Sequence, residues 1–255
     1  MCYNLKLRMR SLVETVKKMS VRTRAAHNKI EFLDHQLVDP MCQKIIDKMS
    51  SVDLRRLGIT GTDQNSDPYH FQENLNRVVI EGNDDYRLVL FFIKKGTVMP
   101  LHDHPNMSVY FKLMFGKLRY HQFDKIDKKF KYNEFSNDEY AELLETKAKI
   151  NVVKKRETSV TNEDFLLVRP SQGNMHTFTA EEDSCFFDIC LPNYTEDSLR
   201  RITYFNEISD SLTDCNSSEC RAQVEYHVTP PVLPNGMVVA DLDFIGETGD
   251  HLKHF

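Results

Sequence analysis

Two histidines separated by one residue, His102 and His104, stand inside Gly96-Thr97-Val98-Met99-Pro100-Leu101-His102-Asp103-His104-Pro105. On an extended strand, residues two apart point to the same face, so both imidazoles can converge on one point. A distant segment, Pro170-Ser171-Gln172-Gly173-Asn174-Met175-His176, offers a third imidazole from a turn shaped by Pro170 and Gly173. Three neutral imidazoles are a sound ligand set for a divalent first-row metal. A site closed by only three protein ligands keeps positions open for substrate and a small gas, which is the mark of a catalytic rather than a structural centre. A single strand histidine is more often a surface or satisfied core residue. The pair bounded by Gly96 and Pro105, answered from a Gly/Pro turn, points to a metal.

The elements that must position these residues change texture along the chain. Residues 5–57 read as helical. Leu5, Met9, Leu12, Val13, Val16 and Met19 recur at helical spacing, Ile30, Leu33 and Leu37 follow, and Asp39-Pro40 opens a further helix bearing Ile45, Ile46 and Met49 on one side. Residues 58–68, rich in Gly, Asp, Asn and Pro, are loop chemistry. From about Asn76 the pattern turns to short β-rich runs at 78–80, 86–93, 97–104, 108–115 and 117–123, the last two flanking Gly116, which predicts an all-β meander or barrel. Residues 124–163 are polar and lysine-rich and read as an insertion over the barrel surface, with Tyr140, Leu143 and Leu144 on a helical turn. Strands resume at 165–168, 177–180, 185–191 and 201–208, and a polar stretch leads to a proline-containing tail at 228–234.

Composition sets outer bounds. A 255-residue chain that is 40% hydrophobic and 28% charged can build a real core, burying roughly 70–75% of its unfolded surface. A net charge of −5 gives no reason to expect nucleic acid or an anionic membrane as partner. The longest apolar run, at 88–93, is far short of the ~20 residues that cross a bilayer. The six cysteines (Cys2, Cys42, Cys185, Cys190, Cys215, Cys220) show no compact spacing and read as reduced thiols in a reducing, cytoplasmic compartment, with the nucleus as a further location. Within residues 1–26, seven Lys/Arg face a single acid, Glu14. Such a basic amphipathic start is read here as a docking helix with a solvated face; a mitochondrial transit peptide is the alternative.

The two histidine motifs, together with Phe187-Asp188-Ile189-Cys190-Leu191-Pro192-Asn193-Tyr194, resemble the cupin superfamily, and specifically its cysteamine dioxygenase and plant cysteine oxidase family, over about residues 75–208. The resemblance implies a single cupin barrel (double-stranded β-helix, jelly roll) over 61–255, preceded by a helical segment at 1–60. It also implies one Fe(II) per chain held by His102, His104 and His176. Many cupins add a Glu to the first motif; Val109 stands at that position. The implied reaction adds both atoms of O2 to the sulfur of an amino-thiol, either cysteamine or the N-terminal cysteine of a protein, to give a sulfinic acid. In the protein case the product marks the chain for N-degron degradation, so the enzyme acts as an oxygen sensor.

Asp188 matches the family's acidic residue, placed to receive a substrate ammonium; a structural hydrogen bond is the other reading for an Asp in so apolar a strand. Tyr204 matches a family tyrosine that some members join to a cysteine two residues earlier. Here that position is Ile202, so the thioether cannot form and Tyr204 lines the pocket or packs in the core. Removal of Met1 would expose Cys2 as a terminus of the kind the family oxidises. The remaining histidines, among them His27, His35, His70, His121, His251 and His254, have no partner spacing and read as surface. A monomer is expected, with neither nucleic acid nor membrane as partner. Two other classes stay open: a cupin that binds without turnover, and a different metal-dependent cupin enzyme.

Overall fold

Leu12, Val16 and Met19 share one helical face by their spacing, and all three are fully buried. The structure is a computed structural model describing residues 3–25, 40–52, 73–155, 157–161, 164–209, 215, 219–227 and 239–242. In it, helix α1 (Tyr3–Ala25) packs that stripe against α2 (Pro40–Ser50), whose Cys42, Ile45 and Met49 form the answering face. From the other side Lys17 reaches Glu81 at 2.6 Å. The basic N-terminal stretch is thus a docked helix. Asp39, Cys2, residues 228–234 and His27, His35, His70, His251 and His254 lie outside the described residues.

Strands β1 (Leu75–Asn83), β2 (Tyr86–Ile93), β3 (Val98–Asp103), β4 (Ser108–Phe115) and β5 (Leu118–Lys125) follow the helices. Helices α3 (Lys128–Lys131) and α4 (Asn137–Glu145) come next. Then come β6 (Lys149–Lys155), β7 (Thr158–Val160), β8 (Phe165–Val168), β9 (Met175–Ala180), β10 (Ser184–Leu191), β11 (Tyr204–Glu207), β12 (Glu219–His227) and β13 (Val239–Leu242). One sheet runs β13-β1-β2-β10-β4-β8 and the other β6-β12-β11-β3-β9-β5-β7. In the second sheet β6 pairs with both β12 and β5, so six strands close into a barrel. An all-β barrel behind an N-terminal helical layer is what the sequence predicts.

The first sheet is covered on both faces, which explains why β10 is buried at every position. Its alternating residues Cys185, Phe187, Ile189 and Leu191 meet the helices. Period-two geometry turns Phe186, Asp188 and Cys190 inward, toward the second sheet. Between the sheets Phe111, Tyr120, Phe178 and Phe186 fill the core, and a separate cluster behind β3 and β9 holds Leu101, Phe123, Met175, Phe205 and Tyr226.

Three features depart from the sequence reading. Residues 124–163 are more than a surface insertion: Ser136 and Glu139 cap α4 reciprocally, and β6 and β7 hydrogen-bond to β5 as part of the second sheet. Strands β12 and β13 fall where the sequence reading assigned no element; in β12, Ala222, Val224 and Tyr226 are buried while Arg221 and Gln223 face solvent. Cys215 and Cys220 form a disulfide with Cα atoms 4.1 Å apart, which corrects the expectation of six reduced thiols. The pairing joins residue 215 to β12, a juxtaposition that sequence spacing alone does not record. Cys42, Cys185 and Cys190 are buried thiols.

Candidate metal centre

Strands β3 and β9 pair antiparallel with His102 directly opposite His176, while a bulge between Met99 and His102 re-aims the end of β3. His104 lies one residue past the strand and is clamped by Asn174. The His104 N–H donates to the Asn174 carbonyl at 2.9 Å, and Asn174 Nδ2 donates back to the His104 carbonyl at 2.6 Å. The preceding Gly173 has φ +70, a backbone conformation that favours glycine, and any Cβ there would also displace the Gln122 side chain. The Gly-Asn pair before Met175-His176 therefore delivers His176 and locks His104 at once.

All three imidazoles are buried, and their nearest ring nitrogens lie within 4.8 Å of one another. His102 Nδ1–H donates to the Pro100 carbonyl at 2.8 Å. Tyr194 Oη donates to the Asp103 carbonyl at 3.0 Å and accepts from His104 Nδ1–H at 2.5 Å. Tyr120 Oη sits 3.4 Å from His176 Nδ1. With the Nδ1 atoms engaged, the Nε2 lone pairs of His102 and His104 are free for a ligand role, and His176 Nε2 faces the same point. His104 Nε2 and His176 Nε2 are 3.3 Å apart. Two ring nitrogens bound to one ion at about 2.0–2.1 Å stand about 3.0–3.4 Å apart at bond angles of about 90–110°. The arrangement therefore fits a metal ion.

Electrostatics agree with the geometry. Burial lowers the His102 pKa below its ordinary value of 6.5. It drives His104 and His176 well below 6.5, the neighbouring imidazoles adding to the effect. All three are neutral ligands at neutral pH. Tyr194, which hydrogen-bonds His104, packs against a small apolar cluster of Met107, Val109, Val168 and Cys190. Val109 is fully buried there, and no carboxylate completes the triad among the described residues.

Asp188 points inward from β10. It is nearly inaccessible, and its Oδ1 has no hydrogen-bond partner among the described residues. Burial raises its pKa well above the ordinary carboxylate value. Burial also raises the phenols of Tyr120 and Tyr194, which touch His176 and His104, and nearby acidic groups, Asp188 among them, add a smaller push in the same direction. Tyr204 lies opposite His102 across β11 and β3, the rings 6.1 Å apart, and is half-buried. Ile202 sits half-buried in the loop before it. His121, expected at the surface, pairs with Glu157 at 2.7 Å.

Sequence reasoning gave no role to Tyr194, Tyr120 or Lys125. The signal for Tyr194 was its place in the Pro192-Asn193-Tyr194 turn after β10, which reads equally well as a plain turn. Lys125 carried no signal at all. It is fully buried, donates to Asp103 Oδ2 at 2.6 Å and to Asn133 Oδ1 at 3.2 Å, and lies behind the residue that separates the two histidines.

The PCO_ADO family model matches residues 45–248. The chain belongs to this family. The probable 2-aminoethanethiol dioxygenase of Dictyostelium discoideum is 25% identical over 135 residues, covering 52% of this chain and 56% of that protein. Plant cysteine oxidase 1 of Arabidopsis thaliana is 28% identical over 142 residues, covering 53% and 44%. The human 2-aminoethanethiol dioxygenase is 26% identical over 146 residues, covering 54% of each. The chain thus spans about half the length of the curated relatives it matches, and the residues matched by the family model include the three histidines.

Proposed function

We propose that the protein is a thiol dioxygenase that holds one Fe(II) per chain on His102, His104 and His176. It adds both atoms of O2 to the sulfur of an amino-thiol, cysteamine or the N-terminal cysteine of a protein, to give a sulfinic acid. The observation that carries this reading is the pairing of three neutral, inward-facing imidazoles with a buried carboxylate, Asp188, that has no cation partner among the described residues. When bound, the metal supplies open positions for thiol and O2 and lowers the thiol pKa enough to favour the thiolate near neutral pH. The balance is a thiolate plus O2 going to a sulfinate, so no external reductant is needed.

The chain's own residues do the rest. Tyr194 and the Pro100 carbonyl hold the histidine tautomers, and the Asn174 clamp fixes their spacing. Met107, Val109 and Val168 give a dry wall that keeps water from the sulfur. Asp188 ionises when the substrate ammonium arrives, supplying the counter-charge that the apolar wall lacks. Acting on protein termini, the enzyme would couple degradation of its substrates to oxygen.

Fe(II)-loaded protein is expected to consume O2 with cysteamine or a Cys-initiated peptide and to yield a product heavier by two oxygen atoms. His176→Ala should lose both metal and turnover. Full turnover in that variant would remove the site assignment.

A further inference from the structure

Two arginines at a cavity next to Tyr194 lack an ionic partner among the described residues. Arg87 is half-buried on β2, opposite Cys190 of β10, and Arg201 is exposed in the loop ahead of β11. Both line a cavity of about 370 Å3 whose wall also includes Tyr194, Ile202 and Glu196. Among the described residues neither guanidinium forms an ion pair. Asp241, whose charge reaches Arg87, is already held by Arg77 through two hydrogen bonds at 2.5 and 2.7 Å. Arg201 rests 5.9 Å from the centre of the Tyr140 ring. Burial and the like charge of Arg77 both pull the Arg87 pKa below its ordinary value, as befits a cation short of compensation.

The cavity and the histidine site share one side chain. Tyr194 lines the cavity, and the same phenol hydrogen-bonds His104. Cavities of ~300–1,000 Å3 accommodate small-molecule ligands, and the four non-hydrogen atoms of cysteamine would leave this one almost empty. Charge is also distributed in a direction: a lone carboxylate, Asp188, lies inside, and lone guanidinium groups lie in the cavity beside it. A ligand complementary to that order carries its ammonium near the thiol and an anion further along the chain.

We propose that this cavity is a carboxylate-binding subsite, in which Arg87 and Arg201 select amino-thiols that carry a carboxylate beyond the amine. The proposal rests on the thiol dioxygenase reading for the placement of sulfur and amine. Two sources share this chemistry: an acidic side chain following the cysteine of a Cys-initiated peptide, and the α-carboxylate of free cysteine. Planar guanidinium groups suit either through paired hydrogen bonds, whereas Glu196 on the same wall repels both.

The test is equilibrium binding by calorimetry to the Fe(II)-loaded full chain without O2, so that turnover does not enter. One arm compares Cys-Glu-Gly-Gly amide with Cys-Gln-Gly-Gly amide, and the other compares free cysteine with cysteamine. The carboxylate member of at least one pair should bind about tenfold more tightly. That ratio should collapse in Arg87→Gln and Arg201→Gln and widen in Glu196→Gln. A contrast confined to the peptides assigns the subsite to an acidic side chain, and one confined to free cysteine assigns it to the α-carboxylate. Equal affinities in both pairs, or a contrast that survives the arginine variants, would overturn the proposal. Because Arg87 is half-buried, Arg201→Gln keeps the test decisive if the Arg87 variant does not fold. Parallel turnover in air separates the two readings. Carboxylate-dependent binding with no oxidised product sinks the dioxygenase and leaves the subsite; oxidation indifferent to the carboxylate does the reverse.

Discussion

Asp103 and Asp188 are both buried carboxylates, one between the two histidines at the end of β3 and one on β10, and their surroundings are opposite. Asp103 is fully enclosed; one oxygen takes Lys125 Nζ at 2.6 Å and the other the Thr203 N–H at 2.9 Å. Lys125 extends that network to Asn133, which donates to the Ser198 carbonyl at 3.1 Å, so the ion pair ties β3, β5 and the 198–203 loop together. Asp188 has neither a cation nor a partner for Oδ1 among the described residues. A compensated buried charge holds a structure in register. An uncompensated one raises the energy of the empty site and is retained where a ligand supplies the missing charge.

The sharpest way to break this contrast is to remove the cation from the compensated site. Lys125→Met strands Asp103 in the interior and should destabilise the protein by about 3–5 kcal/mol, read as a shift in the urea midpoint. A loss below about 1 kcal/mol would mean that Asp103 does not depend on Lys125.

At Asp188 the sign should reverse. Asp188→Asn keeps the shape and removes the buried charge, so the metal-free variant should be more stable than the parent at pH 7 by about 1–3 kcal/mol while losing turnover. The pH dependence follows from the raised folded-state pKa. The folded protein binds this proton more readily than the unfolded chain, whose ordinary value is 3.8, so the group's contribution is present below 3.8 and lost as pH rises. The advantage of the variant should therefore vanish in acid. The histidines run the other way. Their folded pKa values are lowered, so metal-free protein should lose stability as pH falls from 6.5, and bound metal should protect it. Thermal melts across this range, with and without metal, separate the two slopes.

The smallest effect is expected at the link between the two regions, Tyr194, which joins the Asp103 carbonyl to His104. Tyr194→Phe should weaken metal binding by about tenfold with little change in fold, measured by competition with a chelator. Unchanged metal affinity would mean that the phenol does not set the His104 tautomer.

The sequence by itself marked the three histidines that could hold a metal. His102 and His104 sit at strand spacing, Gly173 and Asn174 prepare His176, and Val109 leaves out the fourth carboxylate, because ligand type, local turn chemistry and period-two geometry are all properties of a few neighbouring residues. The β-rich texture and the α1 stripe were legible for the same reason. The Cys215–Cys220 bond, the burial of Lys125 against Asp103, and the meeting of the two arginines at one cavity were decided only in three dimensions. Compensation of charge depends on what lies across the barrel: Lys125 reaches Asp103 over 22 residues of sequence, and Arg87 and Arg201 meet at one cavity from different parts of the chain. Which carboxylate is scaffold and which awaits a ligand is therefore a property of the closed barrel, where a low-dielectric interior makes every missing partner count.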